Sequence, residues 1–470
     1  MRLSQSQREV YRHYAELALP RHTSYPTVPF WGSFGEDDFR AALERSIARK
    51  NGISIYVHVP FCERLCYYCT CTKEILPRRD ESRVADASAR YVDHIERELA
   101  RVAFSVEPGR TVRQLHLGGG TPTYLSSLQL VDLMAAIRRQ FVLSPDAEIS
   151  VELDPRVTSV EQLGKLQELG FNRVSLGVQD FDARVQEAVN RIQPYEQVGE
   201  FTSLCRQCGF QSINFDLIYG LPFQTPASLM DTIQKTITLG PDRIALYRMA
   251  VIPELFRLQN VFRPKDLPMA DATCDMFLEA IDSFTGAGYR FIGLDHFARP
   301  DERLAEARDQ GSLRRTFQGM TTGGGLDILG FGPSAISMLS DAFAQNAKSF
   351  EDWSTAIEDG RLATCRGMNL SAEDLLRQAV LEQLYCEAQI DQRAIEQRFG
   401  IQFEKHFNDE MIRLELLRDE GLVELDGSTI RVTFPLGRIL LRVIAAVFDA
   451  YLPRDAFQHG ESPQHASKVG

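Results

Sequence analysis

In 470 residues the chain has no long hydrophobic run. The best candidate, 439–448, is short and interrupted by Arg442, whereas a bilayer span needs roughly 20 apolar residues. No membrane partner is expected. Positive charge is also scarce. Lys and Arg number 52 against 64 Asp and Glu, for a net charge of −12. That balance argues against a general nucleic-acid surface, and an anionic substrate would need a local basic pocket. Residues 1–14 are polar and charged and do not read as a secretory signal. The nine cysteines are odd in number and ordinary in density, so a disulfide framework is not expected. A cytoplasmic, reducing location follows as the expectation. Hydrophobic content of 44% and charged content of 25% fit a globular protein of two or three domains, or one large barrel with an appendage.

Four of the cysteines fall within ten residues: Cys62-Glu-Arg-Leu-Cys66-Tyr-Tyr-Cys69-Thr-Cys71. The first three have C-x3-C-x2-C spacing and follow an apolar run, 53–60. A compact zinc site on all four thiolates is the alternative, but the spacing favours a loop around an iron–sulfur cluster. Three thiolates on a four-iron cube leave one iron open for a small molecule. This stretch resembles the radical S-adenosylmethionine (SAM) enzymes. The resemblance implies that the open iron holds the amino and carboxylate groups of SAM. One electron from the cluster then yields methionine and a 5'-deoxyadenosyl radical.

From residue 53 onward, short β-rich runs alternate with amphipathic segments. The runs are 53–59, 113–117, 148–153, 173–177, 212–218 and 243–247; the helical segments are 91–104, 128–141, 160–169, 198–208 and 228–239. Such alternation predicts right-handed crossovers and a parallel sheet, here an incomplete (β/α)6 barrel with its chemistry at the C-terminal strand ends. A further strand is expected at 289–294, then a loop rich in glycine (Gly319, Gly323, Gly324, Gly325). Beyond residue 371 the pattern reads helix (373–387), helix (392–399), helix (404–420), hairpin (422–432) and apolar helix (436–451), which is winged-helix-like. This region carries 15 acidic and 9 basic residues, the wrong balance for phosphate contact. It is expected to cap the barrel. The division is therefore an N-terminal segment touching the active site (1–50), the barrel (51–300), a glycine-rich connection completing the site (301–370), the helical cap (371–452) and a disordered tail (453–470).

Polar residues stand where the parallel strands end. Leu117-Gly118-Gly119-Gly120-Thr121-Pro122-Thr123 follows the second strand, and its glycines let backbone amides and carbonyls approach a ligand. Glu152 ends the third strand, Gln179 ends the fourth, and Asp216 lies in the fifth. Any one could be a structural ion pair or helix cap; three facing one mouth favour a site. Carboxylates suit ribose hydroxyls and ammonium groups, and Arg191 could grip a carboxylate bidentately. Two arginines near the mouth, Arg21 and Arg299, are candidates for substrate carboxylates, with a surface ion pair as the alternative for each. Cys205-Arg-Gln-Cys208 stands alone at a helix end and is not read as a redox or metal site. Cys274, Cys365 and Cys386 read as buried small apolar residues.

Over about 21–451 the chain resembles the oxygen-independent coproporphyrinogen III oxidases, also called coproporphyrinogen dehydrogenases. The resemblance rests on Arg21-His22-Thr23-Ser24-Tyr25-Pro26-Thr27, Tyr56-Val57-His58-Val59-Pro60-Phe61-Cys62, Gly118-Gly119-Gly120-Thr121-Pro122-Thr123-Tyr124-Leu125 and Gly177-Val178-Gln179-Asp180-Phe181. It continues through Asp216-Leu217-Ile218-Tyr219-Gly220-Leu221-Pro222, Asp295-His296-Phe297-Ala298-Arg299-Pro300 and Phe317-Gln318-Gly319. It implies conversion of two propionates of coproporphyrinogen III to vinyl groups, giving protoporphyrinogen IX in heme biosynthesis. By that resemblance Cys62, Cys66 and Cys69 bind a [4Fe-4S] cluster. Tyr56, Tyr68, Gly119, Gly120, Thr121, Glu152, Gln179, Arg191, Asp216, Ala250 and Ile336 line the sites of SAM, of which the family can hold two molecules. Tyr56 and Cys71 are the catalytic candidates, with Cys71 near the second SAM or the substrate rather than on the cluster. The implied partners are a tetrapyrrole and an electron donor such as flavodoxin or ferredoxin, with a monomer expected. Two departures stand out. The family commonly has Gly-Cys-Asn where this chain has Thr70-Cys71-Thr72, and Tyr-Ala-His near Met249-Ala250-Val251. They bear on substrate identity and the second SAM, and leave room for a paralogous methyltransferase or heme-opening enzyme on another tetrapyrrole; a heme-binding chaperone is the separate remaining alternative.

Overall fold

A computed structural model describes residues 1–47, 52–106, 110–453 and 467–469. Six strands build the parallel core: β1 (Ile53–Val59), β2 (Thr111–Gly119), β3 (Val142–Leu153), β4 (Arg173–Gln179), β5 (Ser212–Tyr219) and β6 (Arg243–Arg248). All seven residues of β1 are buried, as a parallel strand covered on both faces requires. Helices such as Ser127–Gln140, Val160–Glu168 and Pro226–Leu239 connect the strands. Each opens with a capping box, on Ser126, Ser159 and Thr225, which fixes where the loop stops and the helix begins.

The sheet is larger than the six-strand expectation. Asp327–Phe331 (β7) pairs parallel with β1, placing Gly330 beside Tyr56, so the parallel order runs β6–β5–β4–β3–β2–β1–β7. Beyond β7 the sheet continues antiparallel through Ile336–Met338, Ala342–Asn346, Thr364–Asn369 and Gly32–Ser33. Beyond β6 it continues through His296–Ala298 and Arg290–Gly293. The stretch expected to be a glycine-rich connection thus supplies strands. All five residues of β7 are buried.

Two large cores result. One packs the barrel strands against their helices. The other joins the N-terminal helix Gln5–Ala15 through Tyr11 and Tyr14, the helix Ala270–Gly286 through Cys274 and Leu278, and the C-terminal region through Phe403, Phe407 and Ile444. That region holds helices Ala372–Glu387 and Gln392–Phe399 and a three-stranded sheet that includes the hairpin Val423–Asp426/Thr429–Val432. The single helix expected at 404–420 is divided into Phe403–His406 and Asn408–Asp419, because Phe407 leaves helical geometry to enter the core. The apolar helix expected at 436–451 is likewise broken, into Leu436–Ile439 and Leu441–Val447. Residues 454–466, including His459, Gly460, Ser462, Pro463 and Gln464 of the expected disordered tail, lie outside the described residues. Ser467–Lys468, assigned to the same tail, instead pairs with Ala18–Leu19, held by Arg442 donating to the Ser467 and Lys468 carbonyls. Among the described residues no helix is long and apolar enough to cross a membrane.

Candidate active site

Parallel pairing sets Val59 of β1 opposite Gly119 of β2. The cysteine loop and the triple-glycine turn therefore leave the sheet side by side. They open onto a cavity of about 340 Å³ lined by Cys62, Cys66, Cys69, Cys71, Tyr68, Gly119, Gly120, Thr121, Glu152, Gln179, Arg191 and Asp216. Lys73, Asp154, Arg156, Ser175 and Gln197 also line it; sequence reasoning had not singled them out.

Tyr56, Ala250 and Ile336 do not line this cavity. Tyr56 lies behind it, its hydroxyl bonded to His58 Nδ1 at 2.9 Å and its ring stacked at 16° on His116. His116 Nε2 in turn lies 3.3 Å from Glu152 Oε1. Ile336 is on the strand after β7, with its backbone against Gly330, the partner of Tyr56. The Ala250 carbonyl accepts from Gln259 Nε2 at 2.9 Å, and the same nitrogen lies 3.5 Å from the Tyr68 carbonyl. Buried Gln259 thus ties the segment after β6 to the cysteine loop. Met249 packs in one apolar group with Tyr68, so the departure at 249–251 abuts the cysteine loop.

The amides of the glycine turn are taken up within the protein. The Gly119 amide donates to Glu152 Oε2 (3.1 Å), the Gly120 amide to Val59 O (2.7 Å) and the Thr121 amide to Phe61 O (2.8 Å). This corrects the expectation that these amides are open to a ligand. The glycines are needed for close approach: a Cβ on Gly119, at φ +110°, would stand 2.6 Å from the His58 ring, and one on Gly120 would stand 2.7 Å from the Phe61 carbonyl.

Charge is arranged around Cys66. Arg191 Nη1 lies 3.7 Å and Arg156 Nη2 3.9 Å from its sulfur. Asp154 joins both guanidiniums, at 3.2 Å and 2.6 Å. Burial disfavours the Asp154 charge, but Arg191 and Arg156 more than reverse this and draw its pKa down to about 2. Arg191 also donates to the Gly177 carbonyl through Nε (3.0 Å) and Nη2 (2.5 Å), so its fork is already engaged and not open for a bidentate carboxylate. Asp216 accepts from Ser175 Oγ (2.8 Å) and Asn214 Nδ2 (2.9 Å), and burial raises its pKa. Gln179 adopts φ +69°, a strained conformation for a residue other than glycine, at a register shift in β4. The Cys71 thiol hydrogen-bonds to the Cys69 sulfur, which lowers the Cys69 pKa and raises that of Cys71.

The other candidates lie elsewhere. Cys205 is buried in the barrel core, while Cys274 and Cys386 are buried as expected; Cys365 is exposed, contrary to expectation. Arg299 is exposed at the wrong end: its amide donates to Asp242, before β6 begins, and the preceding Ala298 pairs with Arg243, the first residue of that strand. Arg21 does reach the mouth, donating to the Arg248 carbonyl at 2.7 Å.

Two family descriptions match the chain: the Radical SAM superfamily over residues 56–236 and the HemN C-terminal domain over residues 370–440. The oxygen-independent coproporphyrinogen III oxidase of Pseudomonas aeruginosa is 42% identical over 441 residues, covering 93% of this chain and 94% of that protein. The chain belongs to the oxygen-independent coproporphyrinogen III oxidase family. The Escherichia coli K12 member is 42% identical over 438 residues, covering 93% of this chain and 94% of that protein. The solved structure of Escherichia coli coproporphyrinogen III oxidase (HemN), described as a radical SAM enzyme, matches with a TM-score of 0.86 at 40% identity, over 94% of this chain and 98% of that one. Radical SAM membership implies a [4Fe-4S] cluster and SAM. The residues present suit them. Three sulfurs line one cavity with two arginines beside Cys66 to offset thiolate charge, and the carbonyl-bearing glycine turn suits an ammonium group. Among the described residues no group of three or more His, Cys, Asp or Glu is gathered for a single metal ion.

Proposed function

We propose that this protein carries out the oxygen-independent oxidative decarboxylation of two propionates of coproporphyrinogen III to vinyl groups, giving protoporphyrinogen IX. The observation that carries the reading is one cavity uniting the C-x3-C-x2-C cysteines with the glycine turn, Glu152, Gln179 and Asp216, in a chain 42% identical to coproporphyrinogen III oxidases along nearly its full length. When bound, the cluster and SAM supply one deoxyadenosyl radical per propionate, which takes a β-hydrogen atom, after which the carboxylate leaves as CO2 and one electron passes to an acceptor.

The protein's own groups bind and orient. Cys62, Cys66 and Cys69 hold the cluster, and Arg156 and Arg191 balance its thiolate charge. The carbonyls of the glycine turn accept from the SAM ammonium. The Glu152 side chain is 41% exposed while bonded to the Gly119 amide, so it can take a further donor from SAM; Asp216 and Gln179 flank it. Cys71 lines the same cavity and serves the substrate step, not the cluster. The family can hold a second SAM; Tyr56, Ala250 and Ile336, expected from the resemblance to line the SAM sites, stand apart from the cavity. The C-terminal region caps the mouth, and the electron donor is a flavodoxin- or ferredoxin-type protein. Anaerobic incubation of reduced, cluster-reconstituted protein with SAM and coproporphyrinogen III tests this. The expected product has two vinyl groups and two CO2 are released. Methylated or ring-opened tetrapyrrole instead would assign the chain to another reaction.

A further inference from the structure

Beside the cavity, four guanidinium groups from distant parts of the chain converge at the end of β6. Arg248 is the last residue of that strand. Arg21 donates to its carbonyl at 2.7 Å. Arg315 donates to the carbonyls of Arg21 (2.7 Å) and His22 (3.1 Å), over the Tyr385 ring at 4.6 Å. Arg442 donates to the carbonyls of Leu19 and Pro20. Arg442 also meets the Lys468 carbonyl at 2.8 Å, and Arg248 meets it at 3.3 Å. These partners are neutral carbonyls. Among the described residues no carboxylate forms an ion pair with any of the four. Asp295, which acts on Arg21 and Arg315 from further off, is itself bonded to His296 at 2.6 Å.

All four arginines are half-buried, so each keeps part of its surface open. Burial pulls down the pKa values of Arg21 and Arg442, which lie in each other's field and in that of Arg248. Gathering partly desolvated positive charges without counter-charge is unfavourable, and a bound anion offsets that cost. In β6, Ala245 pairs with the cavity residue Asp216, so Arg248, three residues further on, leaves the sheet at the same end as the cavity. Tyr247, next to Arg248, lies within the fields of both Glu152 and Asp216 on one side and Arg315 and Asp295 on the other.

We propose that Arg21, Arg248 and Arg315 form the subsite that receives propionate carboxylates of the tetrapyrrole, docking the macrocycle beside the cavity, while Arg442, whose Nε, Nη1 and Nη2 are all engaged by carbonyls, adds positive charge without a free fork. The proposal rests on the substrate reading above. A substrate with four carboxylates needs such a pocket in a chain of net charge −12, and guanidinium forks match carboxylates geometrically.

The test is a fluorescence titration of cluster-free protein with coproporphyrin III, the stable oxidised form of the substrate, with its tetramethyl ester as control. Arg248→Gln is the main variant, because its side chain is tethered only at 3.3 Å to Lys468 and its loss should leave folding intact. Arg315→Gln is the second, and the melting temperature of each is recorded. Both are expected to weaken coproporphyrin binding at least about tenfold, as loss of a charged hydrogen bond does. Wild type should bind the ester far more weakly than the acid, and Arg299→Gln should bind as wild type does. Folded variants that keep wild-type affinity, and wild-type KM in turnover, overturn the subsite while leaving the reaction assignment standing. Wild type that neither binds coproporphyrin III nor makes the vinyl product overturns the substrate reading and the subsite with it.

Discussion

Replacing Asp154 with Asn should destabilise the barrel by about 2 kcal/mol at neutral pH. The figure follows from its surroundings. Asp154 is 7% exposed and bridges Arg156 (2.6 Å) and Arg191 (3.2 Å), which hold its pKa at about 2 instead of 3.8. A tenfold change in a group's proton affinity between folded and unfolded chain is worth about 1.4 kcal/mol. Asn preserves the shape and can still accept from the Arg156 amide, now 3.0 Å from Asp154 Oδ1, so the substitution isolates the charge. Because the folded pKa is depressed, the carboxylate's contribution is complete above the unfolded value and disappears as pH falls through about 2. The difference between wild type and variant should therefore be flat from about pH 5 to 8. Urea unfolding of cluster-free protein, followed by tryptophan fluorescence, measures it; Trp353 reports from the barrel core. Breaking a buried ion pair can cost about 3–5 kcal/mol when a charge is left unpaired, so a larger loss would still agree. A difference below about 0.5 kcal/mol, the range of ordinary surface changes, would show that Asp154 is not what anchors the two arginines.

Other expectations test other parts of the molecule. Cys62→Ala, Cys66→Ala or Cys69→Ala should abolish iron loading after anaerobic reconstitution, whereas Cys205→Ala and Cys208→Ala should load fully and Cys71→Ser should keep the cluster spectrum while losing product; full loading of Cys66→Ala sinks the ligand assignment. Gly119→Ala should cost about 2–4 kcal/mol, from a Cβ 2.6 Å from a His58 ring held on both sides and from a positive φ. Calorimetry should show SAM binding lost as well, and normal stability with normal binding would refute the close-packing argument. Glu98 is buried and its pKa is raised to about 7, despite hydrogen bonds from the Gly332 amide, Asn346 and Trp353 and the nearby Arg101. Its contribution is fully present below about 4.5 and is lost as pH rises through about 7, on the order of 3 kcal/mol, so wild-type stability should fall over that window relative to Glu98→Gln; parallel pH profiles would contradict the raised pKa.

The parallel strands were legible because burial on both faces leaves a continuous apolar signature and crossovers enforce the order. Ile53–Val59 appears in the structure with the predicted bounds. Glu152, Gln179 and Asp216 were legible for a related reason: in this architecture the strand end fixes which way a polar residue faces. The seventh parallel strand was missed although Asp327-Ile328-Leu329-Gly330-Phe331 is a short apolar run. Its neighbours Gly323, Gly324 and Gly325 carry a loop signature, and its pairing with β1 bridges a separation that periodicity does not encode.

Convergence of distant polar residues is the part that stayed hidden. Arg299 and Arg21 look alike in sequence, each an arginine beside a motif. Antiparallel pairing of His296–Ala298 with β6 sends Arg299 to the strand's beginning, while β6 itself carries Arg248 to the mouth. Arg21 joins it because His22 is fixed to the C-terminal region, through Tyr385 and Asp449 at 2.9 Å each. The same anchoring sets Arg315 and Arg442 around the N-terminal segment, since both donate to its carbonyls. A net charge of −12 therefore says little about what the mouth attracts. Acidic residues spread over the surface are screened within about a Debye length, whereas guanidiniums gathered at one partly buried point act on a ligand that enters there.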